Sequence, residues 1–201
     1  MIRVLLAEDV RVLREALAEL LGYEDDIEVV AAVDRGDAVV PAALRHRPDV
    51  AVIDIEMPGL NGLDAAARLR RELPGCRTLV LTGVGRPAHL RRGVEEEVAG
   101  FMLKDSGPRD VVGAIRTVAA GGRIIDPQLA YAALASAGSP LTERETEVLR
   151  HTAAGATPRE VAAALNLTYG TVRNYLASAV TKLDARNRVD AIRIAAEAGW
   201  V

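Results

Sequence analysis

Five polar side chains stand where apolar runs of this chain stop. Glu8 and Asp9 follow IRVLLA, Asp54 ends DVAVID, Thr82 closes RTLVLT and Lys104 comes directly after AGFML. Three carboxylates drawn together repel one another, and a hard divalent cation such as Mg2+, which prefers oxygen ligands and retains some water, relieves that repulsion. A lysine and a threonine beside such a cation are donors for the oxygens of an anion, and a phosphoryl group fits that description. The chemistry requires a fold that brings all five residues to one place.

The runs at 2–7, 27–33, 49–54, 77–83 and 99–105 are continuously apolar rather than alternating, as in strands buried on both faces of a parallel sheet. Between them lie segments of helical period, such as VLREALAELL, in which Val12, Leu13, Leu17, Leu20 and Leu21 are expected on one face. Five strands alternating with five helices predict an α/β domain, a doubly wound five-stranded parallel sheet. Ligands of such sheets bind beyond the carboxyl ends of the strands, so Glu8, Asp9, Asp54, Thr82 and Lys104 are expected along one edge.

At these residues the chain resembles the receiver domain of two-component response regulators, a flavodoxin- or CheY-like fold, over residues 1–120. The Glu8-Asp9 pair, the DIEMPG segment, Thr82 and the LKD at 103–105 occur in the order of that family. The resemblance implies that Asp54 is the phosphoacceptor for a sensor histidine kinase. It implies also that Glu8, Asp9, Asp54 and the backbone carbonyl of Glu56 hold Mg2+, that Lys104 pairs with the phosphoryl oxygens and that Thr82 turns toward one of them. Phe101 stands where the family has a switching aromatic, and lacks a hydroxyl. Plainer roles exist for several of these residues: Asp54 capping a turn, Asp9 capping the first helix, Phe101 as a core ring. One stretch departs from the family pattern. Glu95, Glu96 and Glu97 crowd the end of the fourth helix, where negative charge opposes the macrodipole, and the expectation there is a solvated helix end.

Residues 121–140 form a linker, with breaker signals in GGRIID and SAGSP around a short helix at about 127–136. From Leu141 onward the pattern is all-helical. Thr142 with Glu145, and Thr157 with Pro158 and Glu160, carry two helix-start signatures. A short turn at 166–168 leads to a third helix that lacks acidic residues, and a fourth runs from about Asn187 to Ala198, which reads as a helix-turn-helix. Residues 141–201 resemble the LuxR-type DNA-binding domain of NarL/FixJ regulators, through the LTERETEVL opening and the TVRNY segment. By that resemblance the helix starting near Tyr169 enters the major groove of double-stranded DNA. Arg173 and Asn174 take the base-reading positions, arginine suiting guanine and asparagine adenine. Thr168, Thr171, Tyr175, Ser178 and Lys182 are phosphate candidates. Val172, Leu176 and Val180 are expected in the core, and Tyr175 also suits a core ring. Ala177 stands where relatives often carry a base contact. A weaker similarity, in AED, DIEMPG, the RP pair at 86–87, GTVRNY and the terminal GW, is to the DesR-like branch, whose members control membrane-lipid desaturase genes.

Composition agrees with this division. The 201 residues are 50% hydrophobic, enough for substantial cores. Residues 1–120 hold 20 acidic and 16 basic side chains and residues 121–201 hold 8 and 9, and none is acidic between Glu160 and Asp184. A window without acids suits a surface that meets a polyanion. The one cysteine, Cys76, has no disulfide partner and reads as a packing residue. With no apolar run of the ~20 residues that a membrane span needs and a strand-like start, the expected location is the cytoplasm, without membrane contact.

The two halves together predict a response regulator whose phosphorylation at Asp54 promotes homodimerisation and sequence-specific DNA binding, with RNA polymerase a further partner that the family allows. It is not expected to be an enzyme beyond self-phosphorylation and slow self-dephosphorylation. The alternative is a phosphorylation-independent DNA-binding regulator that uses the receiver as a scaffold.

Overall fold

The computed structural model describes residues 1–83, 87–135 and 138–201. Arg86 of the RP pair and Ser136 of the linker helix lie outside the described residues. A first compact unit ends at Tyr131, and the main body of a second runs from Ala132 to Val201.

The first unit alternates β1 (Ile2–Ala7), α1 (Arg11–Gly22), β2 (Ile27–Val33), α2 (Val39–His46), β3 (Val50–Asp54), α3 (Gly62–Glu72), β4 (Arg77–Thr82), α4 (Pro87–Glu95), β5 (Gly100–Leu103), α5 (Pro108–Ala119) and β6 (Ile124–Ile125). All strand pairs are parallel, in the order β2-β1-β3-β4-β5-β6. Every residue of β3 is buried, as continuous apolar strands between two layers of helices must be. Among the described residues the expected five strands are thus six. The extra one comes from the IID of the linker: Ile124 and Ile125 extend the ladder beyond β5, and the Asp126 N–H donates to the Phe101 carbonyl. A β-branched pair suits an edge strand, although the flanking glycines read as a turn.

Helix α1 corrects a second expectation. Leu21 is buried and Leu17 and Leu20 pack on the core, but Val12 is 77% exposed. At 3.6 residues per turn Val12 lies about a quarter turn from the Leu13, Leu17 and Leu20 face, so its hydrophobicity misled the reading.

The second unit contains α7 (Glu143–Ala153), α8 (Pro158–Ala164), α9 (Tyr169–Lys182) and α10 (Arg188–Glu197), preceded along the chain by α6 (Pro127–Ala135). Thr142 and Thr157 each form a capping box, with Glu145 and Glu160 respectively. Asn187 caps α10 by accepting from the Asp190 N–H. The core gathers Val148, Leu149, Val161, Val172, Leu176, Ala179 and Ala191. Val180 and Tyr175 pack against it while partly exposed.

Candidate functional site

Strand register sets the first site. Ala7 lies opposite Ile53, Asp54 opposite Leu81 and Thr82 opposite Leu103, so the polar residues at or just beyond these strand ends come to one edge. A ligand oxygen from each of Glu8, Asp9 and Asp54 lies within 4.8 Å of the other two. The Lys104 ammonium sits 2.8 Å from Glu8 Oε2 and 3.0 Å from Asp54 Oδ2. Glu8, Asp54 and Thr82 are buried, whereas Asp9 is exposed. The Lys104 N–H also donates to the Thr82 carbonyl, which ties the ends of β4 and β5 together.

The loop after Asp54 is pinned by backbone. The Gly62 N–H donates to the Ile55 carbonyl, the Gly36 N–H to that of Pro58, and Gly59 turns the chain at φ +81. A β-carbon at Gly62 would lie 1.9 Å from the Asp54 carbonyl oxygen, so the DIEMPGLNG stretch closes on itself only with glycine there. Glu56 lies in this loop with its side chain exposed. Across the site, the Arg14 guanidinium donates to the Glu8 and Asp9 carbonyls. That support escaped the sequence reading because an arginine inside an amphipathic helix looks like a solvated charge. Asp9 does not cap α1: the cap position is Val10, without a side-chain bond.

The carboxylates of this site are incompletely satisfied. Glu8 Oε1 accepts from Lys104 at 2.9 Å and from the Val10 N–H at 3.2 Å, but no hydrogen bond is directed at the buried Oε2, although the ammonium is near. Burial, with help from the Asp54 charge, pushes the Glu8 carboxyl above its ordinary range despite the hydrogen bond from Lys104. The Lys104 ammonium is raised: burial works against its charge, and hydrogen bonds to Glu8 and Asp54 outweigh that. Carboxylate oxygens from three side chains within 4.8 Å of one another are a donor set of the all-oxygen kind that Mg2+ takes.

Phe101 is buried against α4, where Gly93 makes room for it: a β-carbon at 93 would stand 1.9 Å from the ring. The acidic end of α4 is solvated as expected, with Glu95 and Glu97 exposed and Glu96 half-buried, and it is paired as well. Arg70 of α3 lies 3.0 Å from Glu97 and 4.0 Å from Glu96, offsetting charge that would oppose the helix dipole. Cys76 is buried and its thiol is pushed up to about 12, chiefly by burial, as befits a packing residue.

On α9, Arg173 and Asn174 are exposed, and Val172 and Leu176 are buried. Thr168 caps the helix, accepting from the Thr171 N–H at 3.1 Å, and the two hydroxyls lie 2.8 Å apart. Ser178 and Lys182, phosphate candidates by sequence, make contacts within the domain, and Lys182 is exposed besides. The Ser178 hydroxyl donates to Glu145 Oε1 at 2.6 Å and the Lys182 ammonium to Glu145 Oε2 at 2.8 Å. Glu145, read from sequence only as half of a capping box, therefore also fastens α9 to α7. No pattern local to either helix signals a pairing 37 residues apart.

Comparison with known proteins agrees with both halves. The response regulator receiver domain matches residues 4–116, and the luxR family of bacterial regulatory proteins matches residues 139–195. The chain is 42% identical over 200 residues to the transcriptional regulatory protein DesR of Bacillus subtilis, covering 100% of this chain and 99% of that protein. It is also 42% identical over 202 residues to the response regulator RamR of Streptomyces coelicolor, covering 100% and 98%. Among solved structures, the response regulator ChrA of a heme-sensing two-component system is 32% identical, with a TM-score of 0.61, over 100% of this chain and 98% of that one. RcsB from Salmonella enterica serovar Typhimurium, bound to promoter rprA with a phosphomimetic, shares the fold, with a TM-score of 0.74 at 24% identity over 98% and 99% of the chains. The similarity to DesR read from short motifs thus extends along the entire chain, and no helix among the described residues is long and apolar enough to cross a membrane. The chain belongs to the NarL/FixJ family of two-component response regulators, with a receiver domain followed by a LuxR-type DNA-binding domain.

Proposed function

We infer that this regulator is switched by phosphorylation of Asp54 and acts by binding DNA as a dimer. The observation that supports the reading best is the cluster of Glu8, Asp9 and Asp54, in which Glu8 and Asp54 share Lys104 and one buried oxygen of Glu8 has only its ion pair to that lysine. Mg2+ would be held by Glu8, Asp9, Asp54 and the Glu56 carbonyl, and when bound it neutralises charge on the reacting oxygens.

Asp54 supplies the nucleophilic oxygen. A new bond forms from Asp54 Oδ to phosphorus while the bond from phosphorus to the donor, a kinase histidine nitrogen or the oxygen of an acyl phosphate, breaks with its electron pair leaving on the donor. Lys104 then exchanges a carboxylate partner for phosphoryl oxygens, and Thr82 donates to one of them. The product adds about −1.5 to −2 charges at the sheet edge. Phe101 and α4 adjust, a self-complementary receiver surface forms, and two DNA-binding domains are brought to adjacent half-sites. Affinity rises by linkage rather than by new base contacts.

On the DNA, Arg173 and Asn174 read bases, and Thr168, Thr171 and Tyr175 approach phosphates. Ser178 and Lys182, also phosphate candidates, hold α9 through Glu145 as well. The test is Mg2+-dependent labelling of wild type and Asp54→Ala by acetyl phosphate, with solution mass measured before and after. Labelling of wild type alone, with a shift from monomer to dimer, is the expected result. A wild type that neither labels nor changes mass would favour the scaffold alternative.

A further inference from the structure

Helix α1 opens without the usual help. Its cap position, Val10, makes no side-chain hydrogen bond, no acidic residue stands in its first turn, and Arg14 places a cation there, against the macrodipole. Side chains of a helix lean toward its N-terminus, so that of Arg14 covers the segment just ahead of the helix, where Glu8 and Asp9 stand. With three carboxylates close by, an ion pair would be the ordinary use of its charge, yet among the described residues it makes none. Its Nη1 turns to the main chain instead, donating to the Glu8 carbonyl at 2.6 Å and to the Asp9 carbonyl at 3.4 Å.

Those two carbonyls flank the α-carbon of Asp9. Peptide units are planar, so the backbone of Asp9 is fixed once the planes on its two sides are fixed. One nitrogen bonded to both carbonyls holds both planes, and with them the direction in which the Asp9 side chain leaves the chain. Asp9 needs this hold more than the other two carboxylates do. Glu8 and Asp54 are buried and share Lys104. The Asp9 side chain is exposed and, among the described residues, has no hydrogen bond or ion pair of its own.

We propose that Arg14 is a positioning residue for the cation site: its grip on the Glu8 and Asp9 carbonyls aims the Asp9 carboxylate toward Glu8 and Asp54 and so sets the affinity for Mg2+. The proposal rests on the reading of these three carboxylates as a Mg2+ site. It differs in sign from a plain charge effect. A cation beside the site repels Mg2+, so loss of the charge alone would tighten binding, whereas loss of the grip weakens it.

The experiment is calorimetric titration of Mg2+ into the unphosphorylated full chain, comparing wild type with Arg14→Met, Arg14→Lys and Asp9→Asn, each below its melting transition. Methionine keeps an unbranched stem without donor or charge, and lysine keeps a charged nitrogen as donor. The expected result is a Kd raised about tenfold for Arg14→Met, the size usual for losing a group that holds a metal ligand, and within about twofold of wild type for Arg14→Lys. If Arg14→Met binds Mg2+ as wild type does, or more tightly, while Asp9→Asn binds weakly, the positioning proposal is overturned and the cation reading stands. If wild type binds no Mg2+, or Asp9→Asn binds it as wild type does, the cation reading falls and takes the proposal with it. Should Arg14→Met not fold, Arg14→Gln serves in its place with the same expected sign, since it removes the charge and shortens the reach.

Discussion

Two buried carboxylates of this chain lean on a lysine, and they differ in how fully they are satisfied. Glu145 in the DNA-binding domain accepts from the Thr142 N–H, Ser178 and Lys182, so both of its oxygens are engaged. Its carboxyl is held down at about 2: burial alone would raise it, and the bonds from Lys182, Ser178 and Thr142 prevail. Glu8 in the receiver shares Lys104 with Asp54, keeps one buried oxygen without a directed donor, and has its carboxyl raised. The same pair of residue types thus builds a fastening in one domain and a strained cluster in the other. The difference teaches that a carboxylate–lysine contact marks function only when the surrounding groups leave it short of partners.

The largest expected effect is at the strained site. Asp54→Asn should abolish acetyl-phosphate labelling, read by intact-protein mass, without lowering the thermal midpoint of the receiver. It removes one of three mutually repelling carboxylates, and Lys104 keeps Glu8. A destabilisation as large as that of the fastening would break the comparison. Glu145→Ala should do the reverse. It strips the capping box and leaves Ser178 and Lys182 unpaired, at a cost of about 2–3 kcal/mol; that is below the range for a wholly buried pair because the Lys182 side chain is 36% exposed. Denaturant unfolding followed by the fluorescence of Trp200, the one tryptophan, reads this domain directly, and labelling at Asp54 should be unchanged.

How much of this was legible in the sequence follows from the range of each interaction. The receiver edge could be read because topology alone carries Glu8, Asp9, Asp54, Thr82 and Lys104 there: strand ends of a parallel sheet converge whatever the side chains do. Capping boxes were legible because four consecutive residues contain the whole motif. Gly62, Arg14 and the Glu145 contacts were not, since each depends on tertiary packing that leaves no local period. Ile124 and Ile125 were read as linker because a two-residue strand is too short to show a pattern, and its pairing energy comes from β5 rather than from itself. Val12 failed differently, by a hydrophobic residue sitting off the stripe it was counted with.

Smaller effects sharpen the contrast through pH. Because the folded carboxyl of Glu145 is depressed to about 2 from 4.5, its contribution is fully present above about pH 4.5 and is lost as pH falls toward about 2. Denaturation midpoints of the DNA-binding domain should therefore drop between about pH 5 and about pH 2, and Glu145→Gln should flatten that drop. Some slope should persist, because the Asp190 carboxyl is also held well below the usual range, by hydrogen bonds from the Arg186 backbone and side chain and from Arg193.

Ser178→Ala is the mildest and most discriminating change. It takes from Glu145 Oε1 the hydroxyl at 2.6 Å and leaves Lys182 and Thr142 on Oε2, so the expected cost is about 1 kcal/mol. It also gives the fastening the defect of the receiver site, a buried carboxylate oxygen short of a donor. If satisfaction is what separates the two sites, the acid limb of the stability curve should move to higher pH in this variant, as the Glu145 carboxyl rises toward its ordinary value. An acid limb that stays in place, with the same loss of stability, would mean that Lys182 alone sets the charge of Glu145. The contrast with Glu8 would then lie in the crowding of carboxylates and not in the missing donor.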